Sequence, residues 1–210
     1  MAGSNLCSKG PGNEKTASWA GVFVDLQPIA FFDLALTGQF TGYFNALGFG
    51  FVDLPGYSAP FESASISHDG QRTAPGYLLA AAPTLKVALG PFAALDTFSI
   101  TYFHADDGNG YFFERIANCP LGKKDYELLN QAYALVTITP GLLTGFSDYV
   151  LIVPASGYMS HRVAGVGVFN TGLQDKLSLY SALMLGTYLA DGYYQYNLYV
   201  GGQVGITLAF

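Results

Sequence analysis

The stretch from Gln195 to Phe210, Q-Y-N-L-Y-V-G-G-Q-V-G-I-T-L-A-F, alternates without a break. Tyr196, Leu198, Val200, Gly202, Val204, Ile206, Leu208 and Phe210 fall on one face of an extended chain. Asn197, Tyr199, Gly201, Gln203, Gly205, Thr207 and Ala209 fall on the other. One face suits hydrocarbon and the other a polar interior. An extended segment must have its backbone N–H and C=O groups paired by neighbours, and within lipid only a closed sheet pairs them all. The pattern therefore predicts a strand of a transmembrane β-barrel.

The same residues resemble the C-terminal assembly signal of bacterial outer-membrane β-barrel proteins. There a polar residue, a glycine, a hydrophobic residue and a final aromatic recur at set spacing; here these are Gln203, Gly205, Leu208 and Phe210. The resemblance covers the final strand alone and points to no specific porin family. It implies a Gram-negative outer-membrane location, with membrane lipid around the barrel and the barrel-assembly machinery as a partner. It implies no particular activity.

Composition agrees with a lipid-facing wall. Half of the 210 residues are hydrophobic and only 11% are charged, against roughly 25% charged in soluble domains. The apolar stretches stay short of the roughly 20 residues that a spanning helix needs, because Gly, Pro, Asp or Thr interrupts each. Glycine (26 residues) and aromatics (15%) fit tight turns and interfacial girdles. A net charge of −6 without a basic stripe argues against a nucleic-acid partner. Residues 1–16 form a polar N-terminal segment without a charged-then-apolar secretion signal, so export requires a signal peptide removed from, or lying outside, this sequence. Residues 17–210 are read as one barrel domain.

Turn signals cut that domain into alternating segments. Phe32, Leu34, Leu36, Gly38, Phe40, Gly42 and Phe44 oppose Phe31, Asp33, Ala35, Thr37, Gln39, Thr41 and Tyr43. Leu177, Leu179, Leu183, Leu185 and Leu189 oppose Ser178, Tyr180, Ala182, Gly186 and Tyr188. Leu79, Ala81, Leu85, Val87 and Leu89 oppose Thr84 and Lys86, with Pro83 weakening the ladder. Less regular runs lie at 18–26, 47–54, 92–104, 126–139, 142–153 and 158–170. The fold class expected is all-β, an antiparallel up-and-down transmembrane barrel of about ten strands, with eight or twelve as alternatives. Both termini then lie on the periplasmic side, with short connections at 45–48, 90–91, 139–141 and 171–175. Longer ones at 55–76 and 105–125 lie outside. Gln27-Pro28-Ile29 is the weakest joint, and 123–135 also fits a short helix through Tyr126, Leu129 and Tyr133.

No metal or cofactor motif is present. The two cysteines, Cys7 and Cys119, are far apart and form no C-x-x-C; in an oxidising compartment they can pair if the N-terminal segment threads the lumen. Residues 105–110 have calcium-loop composition without the alternating ligands of an EF-hand and read as a hairpin tip. A rim cluster of His104, Asp106, Asp107, Ser160 and His161 holds the residue types of a hydrolase, but adjacent Ser160 and His161 point to opposite faces of a strand. The chain is read as no enzyme, with a rim hydrolase as the exception to test.

The predicted lumen face carries Asp33, Thr37, Gln39, Tyr43, Thr84, Lys86, Glu127, Gln131, Tyr133, Thr137, Tyr180, Tyr188, Asn197, Tyr199 and Gln203. Tyrosines offer apolar area with a hydroxyl at the tip, which suits amphipathic or aromatic solutes better than ions. The function expected is porin-like transport of small, weakly charged or aromatic molecules through a narrow lumen. The alternatives are a non-conducting structural or adhesive barrel acting through loops that hold Tyr57, Phe61, Tyr111, Phe112 and Phe113, and a soluble β-barrel or sandwich binding protein.

Overall fold

The computed structural model describes residues 17–43, 52–54, 56–57, 74–105, 110–114, 119–174, 177–192 and 194–208. These residues are all-β and antiparallel, with no helix among them. The strands are β1 (Ala17–Ile29), β2 (Phe32–Tyr43), β3 (Val52–Asp53), β4 (Ala74–Leu89), β5 (Phe92–Ala105), β6 (Tyr111–Glu114), β7 (Cys119–Gly122), β8 (Lys124–Thr139), β9 (Leu142–Val153), β10 (Tyr158–Gln174), β11 (Leu177–Ala190) and β12 (Leu198–Leu208). A nine-stranded meander runs β1-β2-β4-β5-β8-β9-β10-β11-β12, and β3, β6 and β7 make a separate three-stranded sheet.

The meander has two unlike ends. Turns at Ala30-Phe31, Gly90-Pro91 and Pro140-Gly141 lie at one end, with the end of β10 and the start of β11. Pro140 presets its own φ, and Gly141 supplies the positive φ of 85° that lets β8 reverse into β9. The end of β2, the start of β4, the end of β5 and the start of β8 lie at the other end, with the turn at 154–157 and the described residues between β11 and β12. The three-stranded sheet sits there as a cap.

Several expectations change. The run 47–54 does not lie between β2 and β4, which pair directly (Tyr43 opposite Ala74); of its described residues, Val52 and Asp53 are extended and joined to β6. Residues 45–48 lie outside the described residues. Nine passes also place the start of β1 and the end of β12 at opposite ends, not together. The strand β1 continues through Gln27-Pro28-Ile29 with a register shift, and the turn falls after it. The strand β10 likewise runs on to Gln174, so the connection is later than 171. The helical alternative for 123–135 is strand β8, whose full ladders with β5 and β9 outweigh the local helical spacing. Pro83 acts as expected: the β4–β5 ladder skips Ala82 and Pro83.

Register separates the two faces. Val24, Leu36, Ala81, Ile100, Leu128, Ile152 and Met159 are successive partners across β1 to β10, and every one is apolar. This face turns outward: Phe146 and Val204 are each 74% exposed. The main apolar core lies instead under the cap, where Phe112, Cys119 and Leu121 pack against Ala74, Ala105, Leu151, Val153 and Tyr158. The small second sheet thus covers the other face of the meander at one end. There it supplies the apolar contacts that the wall lacks elsewhere.

Candidate functional site

Three residues along each strand from the apolar row, and on the opposite face, runs a polar one. Asp33, Thr84, Thr97, Gln131, Tyr149, Arg162 and Tyr188 are successive partners across β2, β4, β5, β8, β9, β10 and β11. Asp33 lies beside the tight-turn end of β2, and Tyr188 lies beside the capped end of β11. The row therefore crosses the inner face diagonally from one end to the other. Near its start Lys86 forms an ion pair with Asp33, and Thr84 and Thr97 share a hydrogen bond of 2.9 Å. In the middle, Gln131 Nε2 donates to the Tyr133 hydroxyl.

The row ends in a cluster of rings around one cation. The Arg162 guanidinium carbon lies 3.6 Å from the Tyr149 ring centroid, 4.8 Å from Tyr199 and 5.7 Å from Tyr188. Tyr188 and Tyr199 meet edge to face at 6.1 Å. Arg162 on β10 thus touches rings from β9, β11 and β12. Tyr133 on β8 lies within electrostatic reach of Tyr180 on β11 and Tyr199 on β12. Those partners are three and four strands away, and neighbouring strands sit about 4.8 Å apart. A flat sheet would hold these rings too far apart, so the sheet curls around this face.

Most of the residues expected to face a lumen share this face. Asp33, Thr37, Gln39, Thr84, Lys86, Glu127, Gln131, Tyr133, Thr137, Tyr180, Tyr188, Tyr199 and Gln203 all have its parity. Tyr43 closes β2 opposite Ala74, and its side chain lies outside the described residues. Asn197 does not line this face. It sits exposed in the turn before β12, where its N–H bonds to the Tyr194 carbonyl, because Tyr196 takes a positive φ of 65° that ends the alternation. Of the assembly-signal residues, Gln203 and Gly205 are in β12, Leu208 ends it, and Phe210 lies outside the described residues.

Arg162 and Tyr149 were not among the expected site residues. They lie in runs whose alternation is blurred by Ala164, Val166 and Val168 on the inner side and by Asp148 and His161 on the outer. An arginine within an apolar segment of so sparsely charged a chain was the available signal.

The rim cluster is not assembled. Ser160 is buried on the inner face, while His161 lies on the outer face with Nε2 2.7 Å from Asp148 Oδ1. His104 stacks on Tyr77 at 4.8 Å, and Asp106 and Asp107 lie outside the described residues. Opposite strand parity keeps the hydroxyl and the imidazole apart. Among the described residues no group of His, Cys, Asp and Glu is arranged to hold a metal ion. Cys119 is buried in the cap with Sγ 4.0 Å from Glu127 Oε2; Cys7 lies outside the described residues.

The aromatic loop residues serve the cap rather than an exposed surface. Phe112 and Phe113 are buried, and Tyr57 packs edge to face on Tyr111 at 4.7 Å. Phe61 lies outside the described residues. Asp125, 3% exposed, accepts from the Gly122 N–H, the Tyr57 hydroxyl and the Tyr126 N–H, each at 2.8 Å. Three donors compensate the desolvation of this carboxylate. Burial pushes the Tyr57 phenol well above its ordinary value, and its hydrogen bond to the Asp125 carboxylate adds to the shift.

The outer face has two further features. Tyr77, Tyr102, His104 and Tyr126 form an aromatic group near the capped end. Asp96 with Asn130 and Asp148 with His161 form a polar patch further along the wall. A shallow hollow of about 500 Å³ lies where Gly167 and Gly202 flank Leu183. No cluster of polar groups converges on it, unlike a small-molecule site.

No protein-family model, curated protein or solved structure matches this chain significantly.

Proposed function

We propose that this chain is an outer-membrane β-barrel that takes up small amphipathic or aromatic molecules along its tyrosine-rich inner face. The carrying observation is the pair of rows three residues apart on opposite faces, one wholly apolar and the other wholly polar or tyrosine and running from end to end. Lipid stabilises the first and an aqueous interior the second. The aromatic group at Tyr77, Tyr102 and Tyr126 supports the reading, since such girdles occupy the membrane interface. The likeness of the C-terminal residues to an assembly signal supports an outer-membrane compartment.

Among the described residues β1 and β12 are the sheet's edges, and both run from the capped end to the tight-turn end. An even-stranded antiparallel closure therefore takes one further strand between them. The cap favours a second reading, a non-conducting barrel, because Phe112 and Leu121 fill the inner face at that end.

The test is purification of the full chain in detergent, gel mobility before and after heating, and permeation of reconstituted vesicles by benzyl alcohol and other small neutral aromatics. A barrel requires detergent and changes mobility on heating. A monomer stable without detergent and showing no mobility shift overturns the membrane reading. A heat-modifiable protein with no permeation selects the non-conducting one.

A further inference from the structure

We propose that Arg162 and the rings around it form a binding site for a small aromatic monocarboxylate. This rests on the reading of the inner face as a solute-binding surface, and it names the class of solute.

Three observations converge. First, no carboxylate among the described residues lies within ion-pair distance of Arg162; the ion pairs found there join Lys86 to Asp33 and His161 to Asp148. Glu127, a nearby inner-face carboxylate, is buried beside Cys119. An interior cation without a counter-charge favours an anion. Second, Arg162 Nε is buried and makes no hydrogen bond. It belongs to the edge of the guanidinium that binds a carboxylate through two parallel N–H donors. Third, the guanidinium carbon lies 3.6 Å over the Tyr149 ring, so the cation is held by an aromatic ring and not by an anion. Tyr188 and Tyr199, meeting edge to face beside it, offer aromatic surface to a planar body attached to that carboxylate.

The polar row explains how such a solute reaches the site. Between Lys86 and Arg162 it presents Thr84, Thr97 and Gln131, hydrogen-bonding groups without net charge. Asp33 neutralises Lys86 at the start of the row, so Arg162 is the cation that draws an anion, and the groups between hold it tightly nowhere. Removal of Arg162 therefore affects affinity more than it affects passage of neutral molecules.

The experiment measures binding of benzoate, benzyl alcohol and benzylamine to the full chain in detergent by calorimetry, for the unaltered protein and for Arg162→Gln and Arg162→Lys. Benzoate is expected to bind at least tenfold more tightly than benzyl alcohol, with benzylamine weakest. Arg162→Gln should abolish the preference, and Arg162→Lys should keep part of it. The ligand series on the unaltered protein remains decisive if a variant fails to fold. Equal binding of benzoate and benzyl alcohol, or a benzoate preference that survives Arg162→Gln, overturns the proposal. A heat-modifiable barrel that passes benzyl alcohol but lacks the benzoate preference leaves the transport reading standing and removes this site alone. Arg162-dependent benzoate binding by a detergent-free monomer does the reverse.

Discussion

The Tyr57 hydroxyl donates to Asp125 Oδ2 at 2.8 Å, tying a segment far upstream to the start of strand β8 and pinning the cap between them. Both groups depend on this bond, Asp125 because it is buried and charged, Tyr57 because its phenol must stay protonated to donate. A hydrogen bond to a charged group contributes about 1.5–3 kcal/mol. Tyr57→Phe should therefore loosen the cap by about that amount, read as faster protease cleavage within 110–123. Unchanged cleavage would show that the apolar contacts of Phe112 and Leu121 hold the cap unaided.

The same bond sets an alkaline limit. The Tyr57 pKa in the folded protein is raised above its ordinary value of 10.0. Its contribution is thus fully present below about pH 10 and is lost as pH climbs toward the raised value. Cap cleavage should accelerate with pH above 10 in the unaltered protein, and this acceleration should be much weaker in Tyr57→Phe. Equal pH profiles for the two proteins would remove Tyr57 as the titrating group.

Neighbouring residues on β2 separate the two faces. Leu36 stands in the exposed apolar row, whereas Thr37 stands on the inner face beside Ala80. An arginine facing the bilayer midplane costs roughly 2–4 kcal/mol, so Leu36→Arg should abolish the heat-modifiable form while Thr37→Arg folds and changes solute permeation. Equal damage from both would mean that β2 is buried on both sides.

Two glycines of similar sequence context should behave oppositely. A Cβ on Gly145 would collide with the Ala134 carbonyl, while one on Gly167 would meet nothing within 4 Å. Gly145→Ala should cost about 1–3 kcal/mol through overpacking. Gly167→Ala should be neutral or slightly stabilising, since alanine loses less chain entropy on folding. Unfolding in urea, followed by gel mobility, reads both; a costly Gly167→Ala would indicate that a partner occupies the shallow hollow.

The C-terminal aromatic tests the compartment separately from the fold. Phe210→Ala should reduce membrane insertion in a bacterial host, with unfolded protein accumulating or degraded. Normal insertion would make the likeness to an assembly signal accidental.

Alternation alone determined the β class and the facing of Leu36 against Thr37, of Leu183 and Leu185 against Tyr180 and Tyr188, and of Val200 and Val204 against Tyr199 and Gln203. A period of two is a local property: once a segment is extended, successive side chains must oppose each other whatever its neighbours do. Pairing is not local. That β2 skips 47–54 to join β4, that the 111–122 region folds back as a cap, and that Asn197 belongs to a turn all depended on which strands found complete ladders and where apolar side chains such as Phe112 and Leu121 could be buried. Arg162 belongs to the same category. Its own segment shows only an arginine among small and apolar residues, and it becomes a site because register carries Tyr149 and Tyr188 beside it and curling of the sheet brings Tyr199 across from β12. Side-chain direction followed from backbone geometry, but the company each side chain keeps was decided by the register and curvature of the whole sheet.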